Sequence, residues 1–333
     1  MKYWRIGLLG VVVSALALSF ILSQVDLSLL GAALVRARYG YLLPTVVFLL
    51  VGLVTRAIRW RVLLSAILPL GRSFNVINVA YLVNGILPLR IGEVARVFLA
   101  TRAEPPVPAL QAASTIIVER VLDLLAVVVL LGLALGAVPV PAALRLAGIA
   151  IAPVALLGFL ALIFLAGRRI LAQRLLAFVM VRMRGLRQFD VAVWLDQFLD
   201  GLSPLTKSHA LFQALLWTAI SWGFSVVAGY FVMLAFYERG DWAVTALYIA
   251  AAALSIALPA VPGNIGTYEA SILLAMQAFG YDVFSGTALA FAVTVHGVNV
   301  GVHTVTGVVG LLQEGITLGQ LSQGVRQIQE RTN

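Results

Sequence analysis

The sequence predicts an all-α polytopic membrane protein, with six spanning helices and two re-entrant hairpins that are broken by proline and glycine. Three observations predict this class. Of the 333 residues, 62% are hydrophobic and only 11% are charged, whereas soluble proteins carry about 25% charged residues. Apolar runs of membrane-spanning length recur along the chain. Two similar Pro/Gly motifs interrupt otherwise apolar segments, which indicates an inverted-topology repeat.

Six segments have the length of about 20 apolar residues that a helix needs to cross the hydrocarbon core. The first begins like a signal peptide, but its apolar run exceeds the roughly 7–15 residues typical of one, so we expect a retained anchor. The predicted spans are residues 6–24, 41–62, 110–137, 145–166, 209–237 and 283–312.

Positive charge sets the predicted orientation, because Lys and Arg are enriched on the cytoplasmic side. Both termini, including a tail over 313–333, are therefore expected on the cytoplasmic side of the cell (inner or plasma) membrane. The net charge of +9 also favours anionic membrane phospholipids as partners and not nucleic acid. The basic clusters comprise Lys2, Arg5, Arg56, Arg59, Arg61 and Arg72, with a third cluster in 167–208. Arg36 and Arg38 fit less well, since this orientation places them outside.

The longest polar stretch lies between the two halves of the chain. Within residues 138–208, the span 145–166 is followed by a basic segment, 167–208, that mixes arginines with Leu, Phe and Trp194. This mixture is typical of an amphipathic helix at the membrane interface. We interpret it as a cytoplasmic linker that hugs the membrane, or alternatively as a collar that gathers anionic headgroups.

An internal repeat lies in the two interrupted segments. Residues 88–92 read Pro-Leu-Arg-Ile-Gly, residues 262–266 read Pro-Gly-Asn-Ile-Gly, and an acidic residue follows each motif. Proline removes a backbone donor and glycine permits positive φ, so each motif should break its helix. We therefore predict helical hairpins over residues 74–103 and 244–279.

Each half of such a hairpin is too short to cross the membrane, because about 14 residues rise only about 21 Å. Its non-helical tip must lie against protein or water. The first hairpin enters from the cytoplasm and the second from outside, which gives two inverted halves, 1–137 and 145–312. Inverted repeats with broken helices are typical of secondary transporters. Eight full spans with the same end orientation remain the alternative.

Charged residues inside the membrane indicate function, because each costs roughly 2.5–3.5 kcal/mol at a helix centre. The first such group, at the tip of the first hairpin, comprises Asn84, Arg90, Glu93 and Arg96. Glu93 and Arg96 are three residues apart and are expected to pair. Arg90 and Arg96 are candidates for binding phosphate, with which guanidinium makes bidentate contacts. A structural ion-pair network is the alternative.

The second group is Glu119, Arg120 and Asp123, in the third predicted span. Glu119 and Asp123 are four residues apart and share a helix face. If the helix starts near Ala112, these residues lie nearly two turns deep, and the arginines of the first hairpin are their expected partners. If they lie at the interface, they are boundary residues.

The third group combines the second hairpin with the last span. Its members are Asn264, Tyr268, Glu269, His296, Asn299 and His303. The last three share one helix face by their spacing. We predict that this group lines the other half of a substrate path or relays protons, with interhelical hydrogen bonding as the alternative. We predict no metal site, because two histidines without a cysteine or carboxylate close in sequence are a weak ligand set.

Motifs for cofactor chemistry are absent from the sequence. It has no Walker, HExxH, GxSxG, EF-hand or dinucleotide motif. It also has no cysteine, which excludes disulfides and thiolate metal sites. We therefore predict no cofactor and no enzymatic activity, and we expect any driving energy to come from an ion gradient, the membrane potential or the lipid gradient.

Three stretches together carry a family resemblance: Asn84 with residues 87–96 (LPLRIGEVAR), residues 119–123 (ERVLD), and residues 262–266 with Glu269. The chain resembles the lysylphosphatidylglycerol synthase transmembrane (flippase-like) family over about residues 5–315. The same module forms the membrane half of bacterial aminoacyl-phosphatidylglycerol synthase/flippases. The resemblance implies lipid translocation. We expect the soluble synthase domain to be absent, so the resemblance does not imply lipid synthesis.

The expected function is a membrane lipid transporter, or flippase. It would move a phospholipid, an aminoacyl-phospholipid or an isoprenoid-linked lipid between leaflets. One alternative is an intramembrane lipid-modifying enzyme that uses buried Glu, Asp and His for acid–base chemistry. Another is an accessory subunit that recruits an enzyme of a lipid or glycolipid pathway. Expected partners are membrane phospholipids, with a second copy of the chain or such an enzyme.

Overall fold

The computed structural model describes residues 27–86, 91–136, 142–182, 190–256, 262–317, 319–321 and 323. These residues form an all-α structure without a β-strand among them, and the predicted first span, 6–24, lies outside them. The helices are α1 (Leu27–Arg36), α2 (Leu42–Leu63), α3 (Leu70–Ile86), α4 (Gly92–Thr101), α5 (Ala109–Leu135), α6 (Ala142–Gly167), α7 (Arg169–Arg182), α8 (Val191–Leu202), α9 (Ser208–Phe236), α10 (Trp242–Ile256), α11 (Thr267–Gln277) and α12 (Gly286–Gln313).

Four described helical segments are long and apolar enough to cross a membrane, which makes the chain a multi-pass membrane protein. They are Tyr39–Leu63, Leu144–Gly167, Ser208–Phe236 and Gly286–Gln313, and they match four of the predicted spans. A fifth predicted span, 110–137, coincides with the long helix α5, which carries three charged side chains near its middle. Because bilayer thickness sets the length of a spanning helix, the length of each apolar run predicts the position of its helix correctly.

Two pairs of short helices occupy the positions of the predicted hairpins. α3 packs against α4, and α10 packs against α11. In the first pair the Gly92 N–H donates to Oδ1 of Asn84 across 2.8 Å. Gly92 lies so close to α3 that a Cβ would collide with the backbone oxygen of Ala80. A side chain at Gly92 would therefore push the two helices apart.

The two interrupted regions meet inside the molecule. The short 3₁₀ turn Pro262–Asn264 contacts α3, and the Cβ position of Gly263 lies 3.6 Å from the backbone oxygen of Gly85. This turn needs unusual backbone angles, since Gly263, Asn264 and Gly266 have φ of 72°, 55° and 88°. Glycine and asparagine tolerate positive φ, which explains why the motif breaks the helix there.

Helices from the two predicted halves pack against one another and form one bundle. α2 packs along α9, and α12 packs along α3. Close approach to α3 depends on two glycines of α12, because a Cβ at Gly307 or Gly310 would lie within 3 Å of α3 atoms. The GxxxG spacing of Gly297 and Gly301 predicts a similar packing face. Within the described part of the chain no close packing occurs there, because a Cβ at either position meets nothing within 4 Å; packing against residues outside that part stays a prediction.

The predicted basic segment 167–208 contains α7, α8 and a 3₁₀ turn, Ser203–Thr206. α8 packs on α5 through the buried side chains of Leu199 and Leu202. α7 is tied to α8 by Arg169, which pairs with Asp196 at 2.9 Å and with Asp200 at 2.6 Å. Hydrogen bonds from Gln173 and from Arg169 lower the pKa of the exposed Asp196 carboxyl.

Candidate functional site

Six charged side chains from α2, α4 and α5 meet in the middle of the bundle. Because apolar helices surround them, each charge needs a partner of opposite sign. Three arginines and three carboxylates balance each other, so the cluster as a whole is neutral. We call this cluster the ion-pair network; its members are Arg59, Glu93, Arg96, Glu119, Arg120 and Asp123.

The inner part of the network centres on Glu119, which is only 2% exposed. Its Oε2 lies 2.5 Å from Nη2 of Arg96, and its Oε1 accepts from Nε of Arg59 at 3.3 Å. The ring of Trp60 covers the guanidinium of Arg96, 3.9 Å from its centroid. Such a cation–π contact stabilises a desolvated guanidinium further. Both arginines are thus held rigidly by a buried carboxylate.

Asp123 connects the inner part of the ion-pair network to Trp222 and Arg120. It accepts from Nη1 of Arg59 at 2.7 Å and from the indole N–H of Trp222 at 3.1 Å. Nη1 of Arg120 lies 3.8 Å from its other oxygen. Arg59 therefore bridges Glu119 and Asp123, which are four residues apart and lie on one face of α5, as their spacing predicts.

The outer part of the network is the pair between Glu93 and Arg120. Their closest atoms are 2.7 Å apart, and the two side chains keep 24% and 35% of their surface exposed. This pair joins α4 to α5 and is partly exposed. The inner pairs around Glu119 are almost fully buried. Arg120 is therefore the most exposed charge of the network, and Glu93 is exposed to about the same degree as Asp123, at 23%.

Two expectations for the first two groups of charged residues can be compared with the structure, and a third cannot. The predicted pair between Glu93 and Arg96 is wrong, because each pairs with α5 instead. Arg96 instead faces the carboxylate of Glu119, and Glu93 faces the guanidinium of Arg120. The expected pairing of Glu119 with an arginine of the first hairpin is confirmed by Arg96. Arg90, the other candidate for phosphate binding, lies outside the described residues.

Arg59 is a member of the network that the sequence reasoning missed. Its place near the end of an apolar run was interpreted as a topology signal, yet it is 2% exposed and pairs with two carboxylates. The depth of Arg59 inside its helix is the signal that could indicate a buried ion pair. Four residues before Leu63, at about 1.5 Å per residue, place it about 6 Å inside α2.

A second polar cluster lies where α11 packs on α12. Oε1 of Glu269 is 2.5 Å from Nδ1 of His296, and the Tyr268 ring stacks on the imidazole at 4.5 Å between centroids. Oε2 of Glu269 accepts from the Gly266 N–H at 2.7 Å, which caps the start of α11. The structure thus brings together three of the predicted residues, and Glu269 and His296 form a carboxylate–imidazole pair.

The other predicted residues are placed as follows. His303 stacks on Tyr81 of α3 at 4.8 Å, so α12 touches both helix pairs. Asn299 donates to the Val295 carbonyl of its own helix. Asn84 accepts from Gly92, and the Asn264 carbonyl accepts from the Thr267 hydroxyl. In the described ranges no group of three His, Cys, Asp or Glu side chains is arranged to hold a metal ion.

Two shallow surface grooves occur away from these clusters. One, of about 360 Å³, is lined by Arg38, Tyr41, Phe231 and their neighbours. The other, of about 310 Å³, lies between α1 and the start of α12. No network residue lines either groove.

The fold and the buried charges define an integral membrane protein whose polar chemistry lies inside its helical bundle. A family model described as lysylphosphatidylglycerol synthase TM region matches residues 7–307. The chain belongs to this family. No curated protein and no solved structure matches the chain.

Proposed function

We propose that the chain is a transporter that moves a lipid with a phosphate headgroup between the leaflets of the cell membrane. Membership of the lysylphosphatidylglycerol synthase TM family supports a lipid-related role. The observation that carries the proposal is the neutral network of six charges inside an apolar bundle. Charges are retained in membrane helices chiefly where a polar substrate or ion must pass.

The proposed architecture is an inverted repeat with two re-entrant hairpins. Two observations support it. Each short helix pair, α3–α4 and α10–α11, flanks a Pro/Gly motif, and the turn Pro262–Asn264 contacts α3. A turn that lies against protein satisfies the rule that irregular backbone avoids lipid. In this arrangement the two tips lie beside the lipid path, near the membrane midplane, as in other inverted-repeat transporters.

Headgroup passage is proposed to occur by exchange of ion-pair partners. A phosphate can replace Glu93 as the partner of Arg120, and a lysyl ammonium can replace Arg120 as the partner of Glu93. For a headgroup that carries both a phosphate and an ammonium group, such an exchange leaves both side chains paired, which avoids the several kcal/mol that an unpaired buried charge costs. The inner pairs around Glu119 stay closed and hold α4 against α5. The partly exposed pair is thus the mobile element, and the buried pairs are its support.

The Glu269–His296 pair is proposed to line the other half of the path. Glu269 lies in the second hairpin and His296 in the last predicted span. The carboxylate can accept an ammonium group, and the imidazole can take up or release a proton. Buried apolar side chains of the hydrophobic core, among them Ile272 and Ala292, flank the pair along α11 and α12. A polar pair in such surroundings offers a passing headgroup a place to bind.

A leaflet-exchange assay tests the proposal. Purified protein is reconstituted in vesicles that contain headgroup-labelled phosphatidylglycerol or its lysyl form, and the label in the outer leaflet is followed with time. We expect the intact protein to accelerate exchange and Arg90→Ala to abolish the acceleration. Arg145→Ala, at an exposed position of α6, is the matched control and should exchange normally. Normal exchange by Arg90→Ala would reject Arg90 as a site residue.

The same vesicles separate transport from the enzymatic alternative. If a lipid is chemically altered, extraction and chromatography will show a new product and the transport interpretation fails. If exchange occurs and every lipid is recovered unchanged, the enzymatic alternative fails. If neither lipid moves, the proposal is rejected for both of these headgroups.

A further inference from the structure

We propose that Arg56 is a binding site for the phosphate of the transported lipid. The inference deepens the proposed function and rests on it for the identity of the ligand. Arg56 lies on α2, seven residues before its end at Leu63. At about 1.5 Å per residue, this places it about 10 Å along the helix axis from that end.

Charge pairing sets Arg56 apart from the arginines of the network. Arg59, Arg96 and Arg120 each have a carboxylate within 4 Å. Arg56 forms no ion pair with any residue that the structure describes. It is only partly exposed, so an anion at this point would give the guanidinium a direct ion-pair partner.

The two hydrogen-bond partners of Arg56 are neutral hydroxyl groups. Its Nη1 donates to the Tyr81 hydroxyl at 3.2 Å, and its Nη2 donates to the Ser225 hydroxyl at 3.3 Å. The Ser225 proton is used by the Ser221 carbonyl. The Tyr81 proton has no acceptor within the described part of the chain. Arg56 and Tyr81 thus present convergent donors to one anion, and guanidinium binds phosphate in bidentate geometry.

The position of Arg56 suits a headgroup on its way through the bundle. Tyr81 belongs to α3 of the first helix pair, Ser225 belongs to α9, and Tyr81 stacks on His303 of α12. The site therefore joins the first hairpin to the helix that also carries His296. A phosphate at Arg56 would lie between the ion-pair network and the Glu269–His296 pair.

Lipid binding to the purified protein in detergent tests the inference without requiring transport. The probes are dioleoylphosphatidylglycerol, dioleoylglycerol, which lacks phosphate, and inorganic phosphate as a competitor; native mass spectrometry reports the bound fraction. We expect Arg56→Gln to weaken phosphatidylglycerol binding about 10- to 100-fold, which corresponds to a lost hydrogen bond to a charged group. Dioleoylglycerol binding should be unchanged. Competition by inorganic phosphate would show that a free phosphate can occupy the same site.

Two further variants keep the test decisive. Tyr81→Phe removes one donor and keeps the ring, so it should weaken binding about 2- to 10-fold even if Arg56→Gln fails to fold. Arg145→Gln removes an exposed arginine of α6 and should bind as the intact protein does. Intact binding by Tyr81→Phe and by a folded Arg56→Gln would overturn the inference. Binding that depends on Arg56 without any leaflet exchange would reject the proposed function alone.

Discussion

Replacing Arg59 by methionine tests the interpretation of the ion-pair network as a buried, rigid support. Arg59 bridges Glu119 and Asp123, so its removal deprives two carboxylates of a partner. Breaking a buried ion pair costs about 3–5 kcal/mol. Glu119 keeps Arg96, and Asp123 keeps the Trp222 indole N–H. We therefore expect a loss at the low end of that range, about 3 kcal/mol.

A matched variant is available on the surface of the protein. Arg169 also pairs with two carboxylates, but it is 43% exposed, and exposed ion pairs contribute little to stability. Arg169→Met should therefore leave the stability of the bundle unchanged. Reversible unfolding by SDS in mixed micelles, followed by tryptophan fluorescence, measures both variants. An Arg59→Met protein as stable as the parent, or an equal loss in Arg169→Met, would refute the reasoning.

Three other predictions follow from the packing and the exposed charges. Gly307→Ala should destabilise the bundle by about 1–3 kcal/mol, because the added methyl group overpacks against α3. Gly297→Ala places its methyl group in open space and should be neutral or slightly stabilising. Equal unfolding curves for the two variants would contradict this. The lowered pKa of Asp196 means that its bond to Arg169 is present at neutral pH and is lost only as the pH falls below the ordinary range of an aspartate carboxyl. Spin labels on α7 and α8 should therefore separate only in that acidic range, and a constant distance there would contradict the prediction. The chain has no native cysteine, so the labelling sites can be introduced singly. Glu269→Gln should slow leaflet exchange while preserving the cap on Gly266, and an unchanged rate would remove this residue from the path.

The long apolar helices could be predicted from the sequence because bilayer thickness fixes their length. α2, α6, α9 and α12 coincide with predicted spans for this reason. The break in the second interrupted segment could be predicted as well, because Gly263 and Gly266 adopt the positive φ that proline- and glycine-containing motifs favour. The predicted membrane re-entry of both hairpins, and the orientation of the termini, stay predictions.

The pairing of the charged residues was harder to predict, because it depends on which helices become neighbours. Glu93 and Arg96 are near in sequence, so local spacing favours a pair between them, yet α5 offers each a partner in space. Glu269 and His296 are far apart in sequence, and the packing of α11 on α12 brings them together. Sequence indicated which residues carry the polar chemistry of the bundle but not which of them pair.

The rule that arginines mark cytoplasmic ends explains why the ion pairs of Arg59 and the hydroxyl contacts of Arg56 could not be predicted from the sequence. Both lie near the end of a predicted span, where basic residues normally meet lipid headgroups. In the structure Arg59 is a buried bridge between carboxylates, and Arg56 contacts two hydroxyl groups. Their depth inside α2 separates them from Arg61, which is exposed and bonds the Leu68 carbonyl.

The most direct test of the central claim is the initial rate of lysyl-phosphatidylglycerol exchange in vesicles that carry the intact protein, Glu93→Gln or Glu104→Gln. Glu93 is the partly exposed partner of Arg120, whereas Glu104 is an exposed residue between α4 and α5. The account predicts fast exchange for the intact protein and for Glu104→Gln, and a strongly reduced rate for Glu93→Gln. Equal rates for all three proteins, or no exchange above protein-free vesicles, would contradict it.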